Sequence, residues 1–414
     1  MSNITLIKSC FDGEIYAPVS KSDAHRALIC AATTGLPTDI TVSEPNADIG
    51  ATVECLRALG SRVERTERGY RVDGKIRGGG ALNCGESGST LRFLLPIAAT
   101  TGVETTFYGS GKLPSRPMVA LTSELRRNGG TVSADNLPIT LSGKIRAGRY
   151  ELAGNISSQY ISGLMMALPM LEGKSEIILT TSLESEGYVD MTVKTLEKFG
   201  VRWKKQTGTG YILEDAKYTT PGVYETEGDW SGAAFFAVMG ALGGKINING
   251  LDVNSLQPDK NICGILKRFG AKVEMKGKTL TVEKSEAHPF NVDVSEYPDL
   301  FPVLAVLACG AKGESRLYNA SRLRIKESDR IETTAAMIRA LGGRVETTED
   351  SMTVYGSGTL EGGTVDGAND HRIVMSACAA TAVTKGNITV LGIEAVNKSY
   401  ARFFDDYEIV RCKL

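Results

Sequence analysis

Basic, hydroxyl and carboxylate side chains precede six apolar segments of this chain. The leading segments read SKSDAHR (20–26), GESGSTLR (85–92), SSQ (157–159), EGDWSG (227–232), YPD (297–299) and NDHR (369–372). If each apolar segment is a helix, these groups lie at its N-terminus, where unpaired backbone N–H groups and the helix dipole favour anions. The arrangement predicts binding of phosphate or carboxylate groups.

Helix capping is the alternative explanation for some of these segments. Capping alone accounts for Ser, Asp and Asn before a helix, and it is the favoured interpretation of SSQ and EGDWSG taken singly. SKSDAHR is different, because Lys21 and Arg26 lie at the end of the dipole that disfavours cations unless an anion is bound there. This segment therefore favours a ligand site.

A second group of polar residues lies between the apolar segments. It comprises Arg116 in LPSRPM, Ser185 and Tyr188 in ESEGYVD, and Lys326, Glu327 and Arg330 in RIKESDRIE. Lys326 and Arg330 are four residues apart, so a helical backbone predicts both on one face beside Glu327. A surface salt-bridge face explains this cluster equally well. Lys398 is either a further cation of the site or a solvated lysine.

The overall charge excludes several classes of function. Lys plus Arg number 47 and Asp plus Glu 48, so an anion site must come from local clustering and bulk binding of nucleic acid is not expected. The three histidines (His25, His288 and His371) are dispersed and form no metal-binding spacing, so neither a metal nor a cofactor is expected. No GxSxG elbow supports Ser-His-Asp catalysis.

The six apolar segments recur at a regular interval. Each ends at a glycine, and these are Gly35, Gly102, Gly173, Gly243, Gly313 and Gly386. The interval is therefore about 70 residues. Half an interval later come amphipathic segments that end at glycine and enter a strand, such as LRALGSRVE and LKRFGAKVE.

Alternating strands between these helices give a repeat of β-α-β-α-β-β. The apolar helices lack a polar face, so we expect them inside, with sheets outside. Three repeats are predicted in a lobe of residues 20–226, and three in a lobe of residues 1–19 plus 227–414, with the crossover at TTPGVYETEGD. One continuous solenoid is the alternative, although repeats of 70 residues exceed its usual length.

The cysteines and the N-terminal residues predict the cellular compartment of the protein. The eight cysteines form no CxxC pair, as expected of reduced thiols in the cytoplasm. No targeting segment and no apolar run of about 20 residues is present, so no membrane partner is expected.

Together, KSDAHR, ESGSTLR, LPSRPM, SSQ, EGD, PD, KESDR and NDHR resemble the motif series of the enolpyruvyl transferases, and specifically the branch whose acceptor is shikimate 3-phosphate. The resemblance covers nearly the whole chain. It implies a two-lobed α/β fold, an inside-out α/β barrel of six repeats with parallel buried helices and outer sheets. It implies transfer of the enolpyruvyl group of phosphoenolpyruvate to the 5-hydroxyl of shikimate 3-phosphate, with release of phosphate, by a monomer.

The resemblance also implies roles for individual residues. The expected contacts of shikimate 3-phosphate are Lys21, Ser22, Arg26, Ser157, Ser158, Gln159, Ser185, Asp299 and Lys326. The expected contacts of phosphoenolpyruvate are Lys21, Gly88, Arg116, Gln159, Arg330, Arg372 and Lys398. Asp299 and Glu327 match the proton-transfer carboxylates of the family, and Lys21 is expected to assist catalysis.

Two rival functions remain at this point. One is the related transferase that loads enolpyruvyl onto a UDP-amino sugar, but it would need a reactive Cys in the segment that reads GSGKLPSRPM here. The other is a repeat scaffold without catalysis that binds RNA ends or proteins. Such a scaffold would show a basic, aromatic-rich surface, and the balanced charge argues against it.

Overall fold

The chain folds into two compact units. One unit is Lys21–Thr226, and the other joins the residues up to Ser20 with those from Glu227 onward. The computed structural model describes residues 2–206, 208 and 210–412.

The elements before and within Lys21–Thr226 alternate between helix and strand. The first strands are β1 (Asn3–Leu6) and β2 (Phe11–Tyr16). The helices that follow are α1 (Lys21–Thr34), α2 (Ala47–Ala58), α3 (Gly88–Thr101), α4 (Val119–Arg127), α5 (Ser158–Ala167) and α6 (Glu186–Lys198). The strands are β3 (Thr38–Thr41), β4 (Arg62–Arg65), β5 (Gly69–Asp73), β6 (Gly80–Asn83), β7 (Thr105–Tyr108), β8 (Thr131–Val132), β9 (Ile139–Ser142), β10 (Arg149–Leu152), β11 (Glu176–Leu179), β12 (Arg202–Gln206), β13 (Gly210–Asp215) and β14 (Val223–Glu225).

The elements from Glu227 onward repeat this alternation. The helices are α7 (Trp230–Gly243), α8 (Ile262–Phe269), α9 (Phe301–Cys309), α10 (Arg330–Ala340), α11 (His371–Ala380) and α12 (Phe403–Val410). The strands are β15 (Gly244–Asn249), β16 (Lys272–Lys276), β17 (Thr279–Glu283), β18 (Asn291–Asp293), β19 (Lys312–Tyr318), β20 (Arg344–Thr347), β21 (Met352–Ser357), β22 (Gly363–Asp366) and β23 (Ile388–Leu391).

The sheets confirm the predicted repeat. Four-stranded sheets have the orders β14-β3-β5-β4, β6-β7-β9-β8, β10-β11-β13-β12, β2-β15-β17-β16 and β18-β19-β21-β20. In each, the first two strands are parallel and the other pairings are antiparallel, as in β6 with β7 and β7 with β9. In three of these sheets one helix connects the two parallel strands: α3 between β6 and β7, α5 between β10 and β11, and α9 between β18 and β19.

Distant segments complete three of the sheets. Strand β14 pairs in parallel with β3, and β2 pairs in parallel with β15. The remaining sheet has three strands in the order β1-β23-β22. Its antiparallel partner for β23 is β1, which comes from the start of the chain. In the unit that contains the residues from Glu227 onward, β1 and β2 therefore come from the segment that precedes Lys21.

Apolar helices fill the interior, as their composition predicts. All residues of α9 (FPVLAVLAC) and of α11 are buried, and α7 is buried at every position except its last. Helices that are apolar on all sides are stable only inside a protein or a membrane. Within the described residues, no helix combines the length and the apolar character needed to cross a membrane.

Candidate functional site

Arg330 lies at the centre of a group of carboxylates in the unit that contains α9, α10 and α11. Its Nη1 donates to Asp299 Oδ1 at 2.6 Å, its Nη2 to Glu327 Oε2 at 2.6 Å, and its Nε to Asp370 Oδ2 at 2.8 Å. Arg330 is 1% exposed, so these bonds form with little competition from water. We call Asp299, Lys326, Glu327, Arg330, Asp370 and Arg372 the Asp299 cluster.

Arg372 holds the second oxygen of Asp299. Its Nη2 donates to Asp299 Oδ2 at 2.7 Å, and its Nη1 donates to the Asp299 carbonyl at 3.3 Å. Each carboxylate oxygen of Asp299 is therefore fixed by a different arginine. Short charge-assisted bonds of this kind each contribute roughly 1.5–3 kcal/mol.

These ion pairs determine the charge states of the cluster. Burial alone would raise the pKa of Asp299, but Arg372, Arg330 and Lys326 outweigh it and hold the pKa well below its usual range. Burial likewise opposes ionisation of Asp370, and the adjacent Arg330 lowers its pKa. The cluster contains three cations and three carboxylates, so its formal charges cancel. Buried charges are tolerated when they are paired in this way.

The segment around Lys326 corrects one prediction. The helical backbone expected to carry Lys326 and Arg330 on one face is wrong: Lys326 follows the short 3-10 helix Ser321–Ile325 in extended conformation, and Arg330 is the first residue of α10. The side chain of Asp329 caps α10, which ends helical structure on its N-terminal side. Lys326 nevertheless lies close enough to Asp299 to lower its pKa.

Burial changes the acidity of Lys326 itself. Desolvation lowers the pKa of Lys326 to about 8, against the opposing effect of Asp299 and with a further lowering by Arg330. A lysine with this pKa holds its proton weakly at neutral pH. It can therefore stabilise an anion or exchange a proton with a ligand.

Lys398 lies near the start of α11. Its Nζ donates to the carbonyl of Asn369 at 2.7 Å, and Asn369 directly precedes Asp370. Asp370 caps α11, accepting from the backbone N–H of Arg372 at 3.0 Å. The structure thus brings the predicted residues Asp299, Lys326, Glu327, Arg330, Arg372 and Lys398 together at the starts of α9, α10 and α11.

Two arginines border Gly88 in the unit formed by Lys21–Thr226. A Cβ atom at Gly88 would lie 3.0 Å from Nη1 of both Arg92 and Arg116, which are 6% and 8% exposed. Arg92 Nη1 donates to Gln159 Oε1 at 2.6 Å. We call Gly88, Arg92, Arg116 and Gln159 the Gly88 cluster, and its two guanidinium groups make it suited to an anion.

Close packing of α3 against α5 positions this cluster. A Cβ atom at Gly163 would collide with the carbonyl oxygen of Arg92, so glycine there permits the approach of the two helices. Gln159 lies in the first turn of α5 and also donates through Nε2 to Ser89 Oγ at 2.9 Å. The side chain of Ser87 caps α3 by accepting from the backbone N–H of Thr90 at 3.2 Å, which fixes the start of the helix at Gly88.

The predicted residues at the start of α1 are engaged with other parts of the same unit. Lys21 Nζ donates to Asp48 Oδ2 at 2.8 Å. Arg26 is 2% exposed and donates to the carbonyls of Ser22 and Tyr188 at 2.6 Å and 2.8 Å. Its Nε donates to the hydroxyl of Thr192 at 2.7 Å, so Arg26 ties α1 to α6.

The predicted serines lie at two other helix starts. Ser157 caps α5 by accepting from the backbone N–H of Gln159, as the capping interpretation of SSQ predicts. Ser158 is buried in the first turn. Ser185 precedes α6, is 2% exposed and has φ of 56°. A left-handed serine is uncommon and costs conformational energy, which is typical of functional sites.

A line of hydroxyl groups connects α1, α2 and α3. His25 Nδ1 and Thr52 Oγ1 are 2.7 Å apart, Thr52 Oγ1 and Thr90 Oγ1 are 2.7 Å apart, and Thr90 Oγ1 donates to Ser87 Oγ at 2.8 Å. Burial, together with Lys21 and Arg26, lowers the pKa of His25 well below its usual value, so His25 is neutral. The network positions Ser87, next to Gly88.

Sequence reasoning missed two residues of these clusters. Arg92 ends the quoted segment GESGSTLR, four residues after Gly88, and its charge in an otherwise apolar helix is a signal that was available. Asp370 lies in the segment NDHR and received no role of its own from the sequence, but it caps α11 and binds Arg330. Among residues 2–206, 208 and 210–412, no three His, Cys, Asp or Glu side chains are grouped as metal ligands would be.

The family model and two similar proteins that match this chain carry the same enzyme name. Residues 7–407 match the family model of EPSP synthase (3-phosphoshikimate 1-carboxyvinyltransferase). The 3-phosphoshikimate 1-carboxyvinyltransferase of Clostridium novyi is 40% identical, with 99% of this chain and 98% of that protein aligned. The enzyme of the same name from Clostridium kluyveri is 39% identical, with 98% and 97% aligned.

Solved structures agree with the sequence comparison. EPSP synthase from Acinetobacter baumannii superposes with a TM-score of 0.81 at 25% identity, over 99% of this chain and 98% of that one. The enolpyruvyl transferase NikO from Streptomyces tendae has a TM-score of 0.78 at 16% identity, over the same shares, which shows a common fold. The predicted fold class and the motif-based resemblance are confirmed.

Proposed function

We propose that this chain, which belongs to the EPSP synthase family, transfers the enolpyruvyl group of phosphoenolpyruvate to the 5-hydroxyl of shikimate 3-phosphate. The products are 5-enolpyruvylshikimate 3-phosphate and inorganic phosphate, in the shikimate pathway to chorismate and the aromatic amino acids. The observation that carries the proposal is the family match over residues 7–407. We further propose that it acts as a monomer in the cytoplasm.

The proposed contacts of shikimate 3-phosphate follow from the family motifs. They are Lys21, Ser22, Arg26, Ser157, Ser158, Gln159, Ser185, Asp299 and Lys326. Ser157 and Ser158 at the start of α5 support the assignment, because backbone N–H groups at a helix start bind phosphate well. Arg26 also holds α1 against α6, since its nitrogens donate to protein oxygens of both helices.

The proposed contacts of phosphoenolpyruvate are Lys21, Gly88, Arg116, Gln159, Arg330, Arg372 and Lys398. Arg92 joins this group in our proposal, because it borders the same Gly88 position as Arg116. The absence of a side chain at Gly88 leaves room for a ligand oxygen to approach both guanidinium groups. Arginine forks match the oxygens of phosphate and carboxylate.

The addition needs two proton transfers, and the elimination needs further ones. In the addition, the 5-oxygen bonds to C2 of phosphoenolpyruvate while Asp299 takes the hydroxyl proton and Glu327 donates a proton to the methylene carbon. In the elimination, the bond from C2 to the phosphate oxygen breaks and the leaving phosphate takes up the proton held by Asp299. The methyl carbon returns a proton to Glu327, which restores the double bond. Lys21 and Lys326 stabilise the developing negative charge.

The ion pairs of Asp299 suggest how substrates would activate this base. With both oxygens bound to arginines, Asp299 is ionised and a poor proton acceptor. Substrate phosphate and carboxylate groups compete for the same guanidinium donors. As Arg330 and Arg372 turn to the substrate, the pKa of Asp299 rises toward that of a useful base.

A phosphate-release assay with two acceptors tests the proposal. The purified protein is mixed with phosphoenolpyruvate and shikimate 3-phosphate, and separately with phosphoenolpyruvate and UDP-N-acetylglucosamine. We expect phosphate release and a product heavier by the enolpyruvyl group with shikimate 3-phosphate only. Phosphoenolpyruvate alone and the Asp299→Ala variant control for contaminating phosphatase. Release only with the UDP-sugar would assign the rival transferase, and no release with either acceptor would favour a scaffold.

A further inference from the structure

Two cysteines outside both clusters lie opposite each other in the unit that holds β2 and α12. An isolated antiparallel bridge pairs Phe11 with Arg411, and the backbone N–H of Cys412 donates to the carbonyl of Cys10 at 3.0 Å. Cys10 and Cys412 are therefore directly opposed residues of an antiparallel pair. Such hydrogen-bonded pairs have Cα atoms about 5.5 Å apart, within the range that a disulfide spans.

The two thiol groups influence each other. Cys10 is the main influence on the Cys412 thiol, and it raises the pKa of Cys412 to about 11. Both residues are partly exposed. Neither belongs to the clusters that the proposed reaction uses, so their proximity has no explanation in that chemistry.

Buried neighbours hold the two backbones in this register. Phe11 is 1% exposed, and its ring packs edge to face against Tyr407 of α12 at 5.6 Å between ring centres. The hydroxyl of Tyr407 is 2.9 Å from that of Thr381. Val410 is fully buried directly before Arg411. A disulfide would consequently form between positions that the fold has already aligned.

A second thiol pair in the chain provides a contrast. Cys55 likewise raises the pKa of the Cys84 thiol, but these two residues are 1% and 0% exposed. An external oxidant reaches a thiol only where solvent does. The same chemistry is therefore shielded at Cys55 and Cys84 and open at Cys10 and Cys412.

We propose that Cys10 and Cys412 are a site of reversible thiol oxidation, at which a low-molecular-weight disulfide such as glutathione disulfide produces an intramolecular Cys10–Cys412 bond. The thiolate of one cysteine attacks the sulfur–sulfur bond of glutathione disulfide, forming a mixed disulfide and releasing one glutathione. The thiolate of the other attacks the protein sulfur of that mixed disulfide and releases the second glutathione. The protein loses two electrons, the reagent gains two, and the two thiol protons pass to the glutathione thiolates.

The bond would close almost the whole chain into a ring. It joins position 10 to position 412, so it constrains the unfolded chain strongly while it adds little strain to positions already paired. The oxidised protein, once unfolded, is therefore more compact than the reduced one.

Thiol counting and gel mobility test the proposal. Protein treated with glutathione disulfide is unfolded and alkylated, and its free thiols are counted by mass spectrometry. We expect two of the eight cysteines to escape alkylation, and a Cys10–Cys412 cross-link in the peptide map. The oxidised chain should migrate faster in denaturing electrophoresis without reductant, and reductant should reverse the shift.

Matched variants make the result specific. Cys412→Ser should abolish the cross-link and the mobility shift, whereas Cys55→Ser should leave both intact. Eight reduced cysteines after treatment would overturn the proposal. Glutathione adducts without the internal bond, a Cys55–Cys84 cross-link in place of the expected one, or a covalent dimer would overturn it equally.

Discussion

Asp370 accepts a hydrogen bond from Nε of Arg330 at 2.8 Å, and the two residues are 0% and 1% exposed. Asp370 also accepts from Ser328 Oγ at 2.9 Å and caps α11. One buried carboxylate therefore orients Arg330 and fixes the start of the helix that carries Arg372.

Replacing Asp370 by Asn should reduce both stability and substrate affinity. The change leaves the buried Arg330 with one fewer counter-charge, which costs about 3–5 kcal/mol when a buried pair is broken. We expect a loss of that order in the free energy of unfolding, measured in urea, and a raised KM for phosphoenolpyruvate. The control is Glu64→Gln, which removes an exposed partner of Arg62 and should cost less than about 1 kcal/mol. Equal losses in the two variants would contradict the role of Asp370.

An added methyl group at Gly88 should weaken phosphoenolpyruvate binding. In Gly88→Ala the new Cβ lies 3.0 Å from the guanidinium groups of Arg92 and Arg116, so both must shift. We expect KM for phosphoenolpyruvate to rise on the order of tenfold, because small displacements of positioning groups are costly. Gly50→Ala is the matched control in α2: its Cβ meets no atom within 4 Å, so we expect unchanged kinetics. An unaltered KM in Gly88→Ala would remove this position from the proposed site.

Asp299→Ala should slow turnover far more than it weakens binding. Loss of a general base typically lowers kcat by roughly 10²–10⁴-fold. Removing Asp299 also frees donors of Arg330 and Arg372 for substrate anions, so KM should change little or fall. Steady-state kinetics beside the exposed control Glu314→Ala distinguish these effects. A kcat equal to that of the unmodified protein would end the assignment of Asp299 as the base.

Lys326 should produce an alkaline limb in the pH profile. Its pKa is lowered to about 8 by burial, so its charge, and with it the attraction for shikimate 3-phosphate, declines as pH rises through 8. In Lys326→Arg the cation persists at all accessible pH values, and the decline of kcat/KM for shikimate 3-phosphate near pH 8 should disappear. A limb of the same shape in both proteins would assign it to another group.

Lys326 affects the pH dependence of folding stability in the opposite direction. The pKa of Lys326 is about 8 when folded and about 10.4 in an unfolded chain, so the unfolded state binds more protons between these values. Its burial penalty is full below pH 8 and is relieved as pH rises toward 10.4. The contribution of Lys326 to stability therefore rises with pH over the window in which substrate affinity declines.

Much of the fold could be predicted from local pattern. The apolar segments, the helix-ending glycines and the alternating strands are short-range features, so the β-α-β-α-β-β repeat and its interval of about 70 residues were accessible. The caps at Ser157 and Asp370 were accessible for the same reason, because a cap bonds to residues two or three positions away. The predicted helix through Lys326 and Arg330 was wrong, because Asp329 starts α10 only at Arg330.

Chain order alone determined which residue types stand before each buried helix, and thereby the class of ligand, since charge and hydrogen-bonding capacity belong to the side chains themselves. Tertiary structure decided which of those side chains pair. Asp299 and Arg372 are 73 positions apart, and Arg92 and Gln159 are 67 apart. Such contacts, and the pKa shifts they cause, depend on distances and burial that exist only after the helices have packed.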